Sequence, residues 1–209
     1  MKNKMTKRYI ILIFLIGFAL TLNAQNGFWY GASFGIQNTL LSSKNSSEID
    51  VKNAFRPMST LDIEYRFNPK ISIQSGLGYA LYTQNTSKFK NNFNYLVIPL
   101  YIKGGKFKGN KNYALSTFFG FNYKYLLSAK NIFDGEKNDI FEYTTNSHID
   151  YTIGFGLKYK IRDDLFLESH LTGAYGSNFN NASFDGFLLT NINYGISFSL
   201  KYNISNKKD

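Results

Sequence analysis

The sequence predicts an all-β chain: an eight-stranded antiparallel up-and-down transmembrane β-barrel. Three observations carry this. Large apolar residues recur at every second position in eight separate segments, each able to supply the roughly 9–11 residues that a tilted membrane strand needs. The positions between them are mostly Gly, Ser, Asn and Thr with few charges, which suits the narrow, filled interior of a small barrel better than a water-exposed surface. Aromatic residues make up 18% of the chain and gather near the strand ends, as they do where lipid meets water.

The elements follow in order. Strands are expected at 27–37, 59–67, 71–83, 93–103, 112–127, 149–159, 165–176 and 190–202. The sixth shows the pattern best: Ile149, Tyr151, Ile153, Phe155, Leu157 and Tyr159 alternate with Asp150, Thr152, Gly154, Gly156 and Lys158. A period of two sends successive side chains to opposite faces. Two features fit badly. Pro99 sits inside the fourth strand, where proline belongs to edges or bulges, and Phe118 falls on the small-residue face of the fifth. Asn68-Pro69-Lys70 reads as a tight turn. The connections after strands one, three, five and seven, including Asn38–Pro57, Gln84–Asn92 and Ser128–Ser147, are longer and polar. Short periplasmic turns and longer outer loops are the habit of outer-membrane barrels. The alternative is a soluble, lipocalin-like ligand-binding barrel with its apolar face inward.

Residues 1–24 are read as a signal peptide. Lys2, Lys4, Lys7 and Arg8 precede the apolar run Ile10–Leu20, and Leu22-Asn23-Ala24 fits a cleavage site. Residues 25–209 then form the barrel domain. With no cysteine, a disulfide scaffold and a thiolate metal site are excluded. After residue 24 no run is apolar enough for a membrane helix, so spanning requires a closed barrel. The net charge of +10 suggests nucleic acid less than it would in a chain that is not exported, and Gly76–Tyr79 is not a phosphate loop because it lies within a strand. No cofactor is implied.

The strand faces predict a lumen ion-pair network: Asp62, Glu64, Asp150 and Glu168 against Arg66, Lys124, Lys158 and Lys201, with His148 and His170 nearby. Buried charges require partners, so this set is expected to plug the barrel rather than line a pore. Centring the turn between strands six and seven on Asp163 places Lys158 opposite Glu168 and Gly156 opposite His170. A histidine-based catalyst would need an acid and a nucleophile within reach of His170. Lys103, Lys106, Lys108 and Lys111 are read as one solvated basic turn.

Tyr95–Gly105, YLVIPLYIKGG, resembles the fourth-strand motif of the PorT-like outer-membrane β-barrel family, internal proline included. Phe119–Lys130 and Ser72–Tyr82 are also similar to strands of that family. The resemblance covers about Gln25–Tyr202. It implies an outer-membrane barrel without catalytic residues, whose founding member is associated with protein secretion to the cell surface. It also implies an aromatic assembly signal, which here would be the internal pattern Phe198, Leu200, Tyr202. The expected function is therefore a non-enzymatic barrel with a structural, assembly or secretion-accessory role. The alternative is a surface binding or adhesion barrel acting through Asn38–Pro57 and Ser128–Ser147. The expected partners are outer-membrane lipid and an envelope or secretion protein, with the barrel itself monomeric.

Overall fold

The structure, a computed structural model, describes residues 27–43, 51–52, 55–68, 70–86, 89–105, 111–176 and 189–203. Residues 1–24, read above as a signal peptide, Lys106 and Lys108, the tail after Asn203 and residues 177–188 lie outside the described residues. The strands are β1 Phe28–Ser43, β2 Val51–Lys52, β3 Phe55–Arg66, β4 Ile71–Thr86, β5 Phe89–Gly104, β6 Tyr113–Phe133, β7 Glu136–Asp139, β8 Ser147–Arg162, β9 Leu165–Gly176 and β10 Leu189–Asn203. Eight of them form the ring β1-β3-β4-β5-β6-β8-β9-β10, and β10 returns to pair with β1. Every pairing is antiparallel. The short strands β2 and β7 pair with β4 and β6 outside the ring.

The two faces are inverted relative to a soluble protein. Along β8, Asp150 is fully buried while Tyr151 is 66% exposed. The same contrast recurs around the ring, with Leu61, Leu115, Phe119 and Leu171 outward and Glu64, Lys124, Glu168 and Lys201 inward. An apolar outer wall around a charged interior is stable only where the surroundings are hydrocarbon. This removes the lipocalin-like alternative, which needs the opposite arrangement. At the periplasmic rim the outward aromatics touch one another: Phe28 and Tyr65 have ring centroids 4.9 Å apart, and Tyr65 and Phe67 5.2 Å.

Several strands run further than expected. β6 has 21 residues, and β4 and β5 converge until only residues 87–88 separate them. Much of what reads as polar loop in Gln84–Asn92 and Ser128–Ser147 is strand that has left the membrane. Polarity marks where lipid ends, not where backbone pairing ends. β6 turns into β7 at Asp134-Gly135, both with positive φ (49° and 84°), the backbone of a two-residue hairpin. The chain then folds back, and Ile140 and Phe141 pack against the buried cluster of Ala80, Tyr82, Phe93, Tyr95, Val97, Leu126 and Ala129, closing part of the outer mouth. The turn between β3 and β4 is held by Asn68, whose Oδ1 accepts from the amides of Lys70 and Ile71 at 2.8 and 3.0 Å, as an Asx turn does.

Phe118 and Gly154, both awkward in the sequence, explain each other. They lie opposite in register, and the Phe118 ring fills the space a Gly154 side chain would take. Pro99 likewise faces the lumen with Gly76 across the β4–β5 seam, so its ring meets no side chain there.

Candidate functional site in the barrel lumen

The lumen holds two charged clusters. The larger lies toward the periplasmic end. Glu64 Oε1 accepts from Arg66 Nε at 3.0 Å and from Ser72 Oγ at 2.9 Å. Its Oε2 accepts from Lys103 Nζ and Lys201 Nζ, each at 3.1 Å. Glu168 accepts from Lys103 Nζ at 2.5 Å and pairs with Lys158 Nζ at 3.1 Å. Lys201 also donates to Gln74 Oε1 at 2.6 Å and lies 3.9 Å from Asp62. Asp62 accepts from Ser33 and, at 2.9 Å, from Thr60. A lid closes this end: Arg66 lies 3.8 Å from the Trp29 ring centroid and 4.9 Å from that of Phe166.

The second cluster lies toward the outer mouth. Lys124 donates to Asp150 and to Tyr82. Asn193 Nδ2 reaches Asp150 at 3.0 Å, and His148 Nε2 lies 3.4 Å from the same carboxylate. Between the clusters, Tyr101 donates to Asn122 at 2.5 Å, and Asn122 to Thr152 at 3.0 Å. A cavity of about 40 Å³ remains there, lined among others by Met58, Gln74, Tyr101, Lys103 and Asn122.

The residues singled out in the sequence thus divide. Asp62, Glu64, Arg66, Lys158, Glu168 and Lys201 share one cluster, and Lys124 and Asp150 the other. The β8–β9 register is the one expected, with Lys158 opposite Glu168 and Gly156 opposite His170, but the turn is Asp163-Asp164 rather than centred on Asp163, and a register shift between Lys160 and Arg162 takes up the extra residue. His170 joins neither cluster. Its Nε2 lies 3.1 Å from Ser116 Oγ and its ring stands edge-on to Phe118.

One reading needs correction. Lys103 is not part of a solvated turn. It is 4% exposed and bonds both Glu64 and Glu168, while Lys111 of the same basic run is exposed. The signal that finds it is parity: Lys103 shares the face of Tyr95, Val97, Pro99 and Tyr101, opposite Leu96, Ile98, Leu100 and Ile102. That face also carries bulk that composition hides. Tyr82, Phe93, Tyr95 and Phe118, like Trp29 and Phe166, are all buried inside, so aromatic rings as well as small residues fill the lumen. The described inward-facing charges then include Arg56, which donates to Thr83, and Arg66, Lys103, Lys124, Lys158 and Lys201, against Asp62, Glu64, Asp150 and Glu168.

Lys103 also defines the geometry. Its two carboxylate partners stand on β3 and β9, and in the ring β5 is two strands from one and three from the other. The contacts therefore cross the lumen rather than follow one wall. Among the described residues no group of three His, Asp or Glu side chains is gathered to hold a metal.

Comparison with known proteins agrees with this architecture. Neisserial surface protein A has a TM-score of 0.60 at 12% identity, covering 85% of this chain and 97% of that one. OprG of Pseudomonas aeruginosa scores 0.49 at 12% identity, covering 86% and 98%. Ail, the attachment invasion locus protein of Yersinia pestis, scores 0.44 at 11% identity, covering 84% and 99%. At such identities the likeness is one of fold alone. Comparison with curated protein sequences finds no match. A family model described as outer membrane protein beta-barrel domain matches residues 23–180. With the inverted faces and the closed ring, that match places the protein in the outer membrane, in contact with its lipid: the chain belongs to the outer membrane protein beta-barrel domain family.

Proposed function

We propose that this protein is a non-enzymatic, non-conducting barrel with a structural, assembly or secretion-accessory role. The observation that carries this reading is the Glu64–Lys103–Glu168 strut, which ties β3, β5 and β9 across the lumen. A charge pair spanning a narrow barrel obstructs the path that ions would take. Catalysis lacks support for a geometric reason. Ser116 meets His170, but no carboxylate among the described residues pairs with that imidazole, so nothing fixes a base. Within the family, Tyr95–Gly105 supports a PorT-like assignment, and with it an envelope or secretion protein as partner of a monomeric barrel. Residues 1–24 fit this as a signal peptide cleaved before Gln25.

Purified protein in planar bilayers is expected to show no large, steady conductance. Stable channels of porin size would overturn the reading. A second reading, binding or adhesion at the cell surface, is favoured by the projecting β6–β7 hairpin, whose four β7 residues are all exposed. Loss of cell-surface binding on trimming that hairpin would favour it over the accessory role.

A further inference from the structure

Strand β6 changes its outward chemistry as it leaves the membrane. Tyr123, Tyr125 and Leu127 are exposed on the lipid wall. At the shift beside Asn94/Tyr95 the register moves by one, and Ser128, Lys130 and Ile132 then take the outward positions. Hydrogen bonds mark both faces. Asn94 Nδ2 donates to Ser128 Oγ at 2.6 Å on the outward one, and Asn131 Nδ2 to Asn91 Oδ1 at 2.6 Å on the inward one, where Phe93 and Ala129 are buried. Opposite Ile132 stand Lys90 on β5 and Lys137 on β7; opposite Lys130 stand Asn92 and Asp139. Lys90 and Lys137 are therefore both diagonal neighbours of Lys130, about 7–8 Å away and within reach of long side chains.

This basic face lacks a matching acid. Lys130 and Lys137 are exposed and Lys90 is half-buried, and none of the three forms an ion pair with another described residue. Asp139 shares the face, but its Oδ1 accepts from the Phe141 amide at 2.8 Å. Glu136 stands opposite Phe133, on the other face. Like charges held this close repel, so the face is set up for an anion from outside the chain.

Height identifies the source of that anion. Lys130 follows Leu127 by three residues, about 10 Å of strand and about 8 Å along the membrane normal at the usual tilt of a barrel strand. The polar headgroup layer on each side of a bilayer is roughly 5–8 Å thick. The lysines thus stand at headgroup level and continue the wall that lipid covers. We propose that Lys90, Lys130 and Lys137 hold the phosphate of an outer-leaflet lipid headgroup, whose acyl chains lie on the wall below, over Tyr123, Tyr125 and Leu127. Ile132, placed between Lys90 and Lys137, gives the lysine stems an apolar bed from which their ammonium groups reach the phosphate. A soluble polyanion fits less well, because this face looks along the membrane rather than away from it.

The test uses the protein refolded into phosphocholine micelles and titrated with lipid A carrying two phosphates, with bound lipid counted by native mass spectrometry. The unaltered protein is expected to retain this lipid and to lose it when the phosphates are removed. Replacing Lys90, Lys130 and Lys137 together by Gln is expected to weaken binding about a hundredfold, since a basic residue near an anionic surface is worth roughly a factor of five. Lys111→Gln, at the periplasmic rim, should leave binding unchanged. Faster gel migration before boiling checks that each variant is closed. Equal binding of the dephosphorylated lipid to the unaltered chain would overturn the proposal whatever the variants do, as would undiminished binding to the folded triple variant. Lysine-dependent binding of dextran sulfate without binding of lipid A would assign the face to a soluble polyanion and likewise overturn it.

Discussion

At the scale of single residues, the lumen shows why a buried charge is judged by what remains when its partner goes. Glu168 is the only carboxylate with which Lys158 forms an ion pair among the described residues. Glu64 and Glu168, by contrast, each keep another cation if Lys103 is lost: Arg66 and Lys201 for the first, Lys158 for the second. Breaking a buried pair by removing one member costs about 3–5 kcal/mol, because it strands the other charge. Glu168→Gln is therefore expected to lose stability of that order in urea unfolding from lipid vesicles. Lys103→Met should lose less, and Lys111→Met, at an exposed site, nothing measurable. Equal losses for Glu168→Gln and Lys111→Met would mean that the lumen is wet enough to solvate Lys158 by itself.

At the scale of elements, the strands are built in two parts. The membrane part obeys alternation, because each side chain must suit either hydrocarbon or a packed lumen. The projecting part obeys only backbone pairing. β6 shows the change within one strand. At the bulge beside Asn94/Tyr95 the register shifts by one, so that Tyr95 faces Leu126 and Asn94 faces Ser128. Beyond it Ala129, not Ser128, is buried. The hairpin above depends on Gly135, whose φ of 84° few side chains adopt. Gly135→Val is expected to fray this hairpin while leaving the barrel intact. Limited trypsin digestion of the refolded protein, followed by mass spectrometry, should show faster cleavage at Lys130 and Lys137, with cleavage at the buried lumen lysines unchanged. Loss of the whole barrel would show instead that the hairpin is needed for folding.

At the scale of the whole molecule, closure of the ring decides behaviour. A closed barrel has no open edge at which unfolding can begin within lipid, so the folded form should survive detergent and unfold only on heating. The protein is expected to migrate faster on gels before boiling than after, and to fractionate with outer membranes as a chain whose mass starts at Gln25. Recovery as a soluble periplasmic monomer would contradict both the inverted faces and the family.

The sequence by itself determined the strand count, the face of most residues and the medium outside. The reason is that alternation, strand length and rim aromatics are local features, each imposed by the bilayer on one strand at a time. It determined the β8–β9 register as well, because a short turn and a charge that must avoid lipid leave one solution. Only the tertiary structure decided what meets across the lumen. Lys103 finds Glu64 and Glu168 at separations of 39 and 65 residues; parity turns it inward, but no local pattern names those two partners. Phe118 looks misplaced until Gly154 stands opposite, and Pro99 looks like an error until Gly76 lies across the seam. Such matches exist only once the ring has closed, since closure brings strands that are not neighbours in the chain within reach of one another.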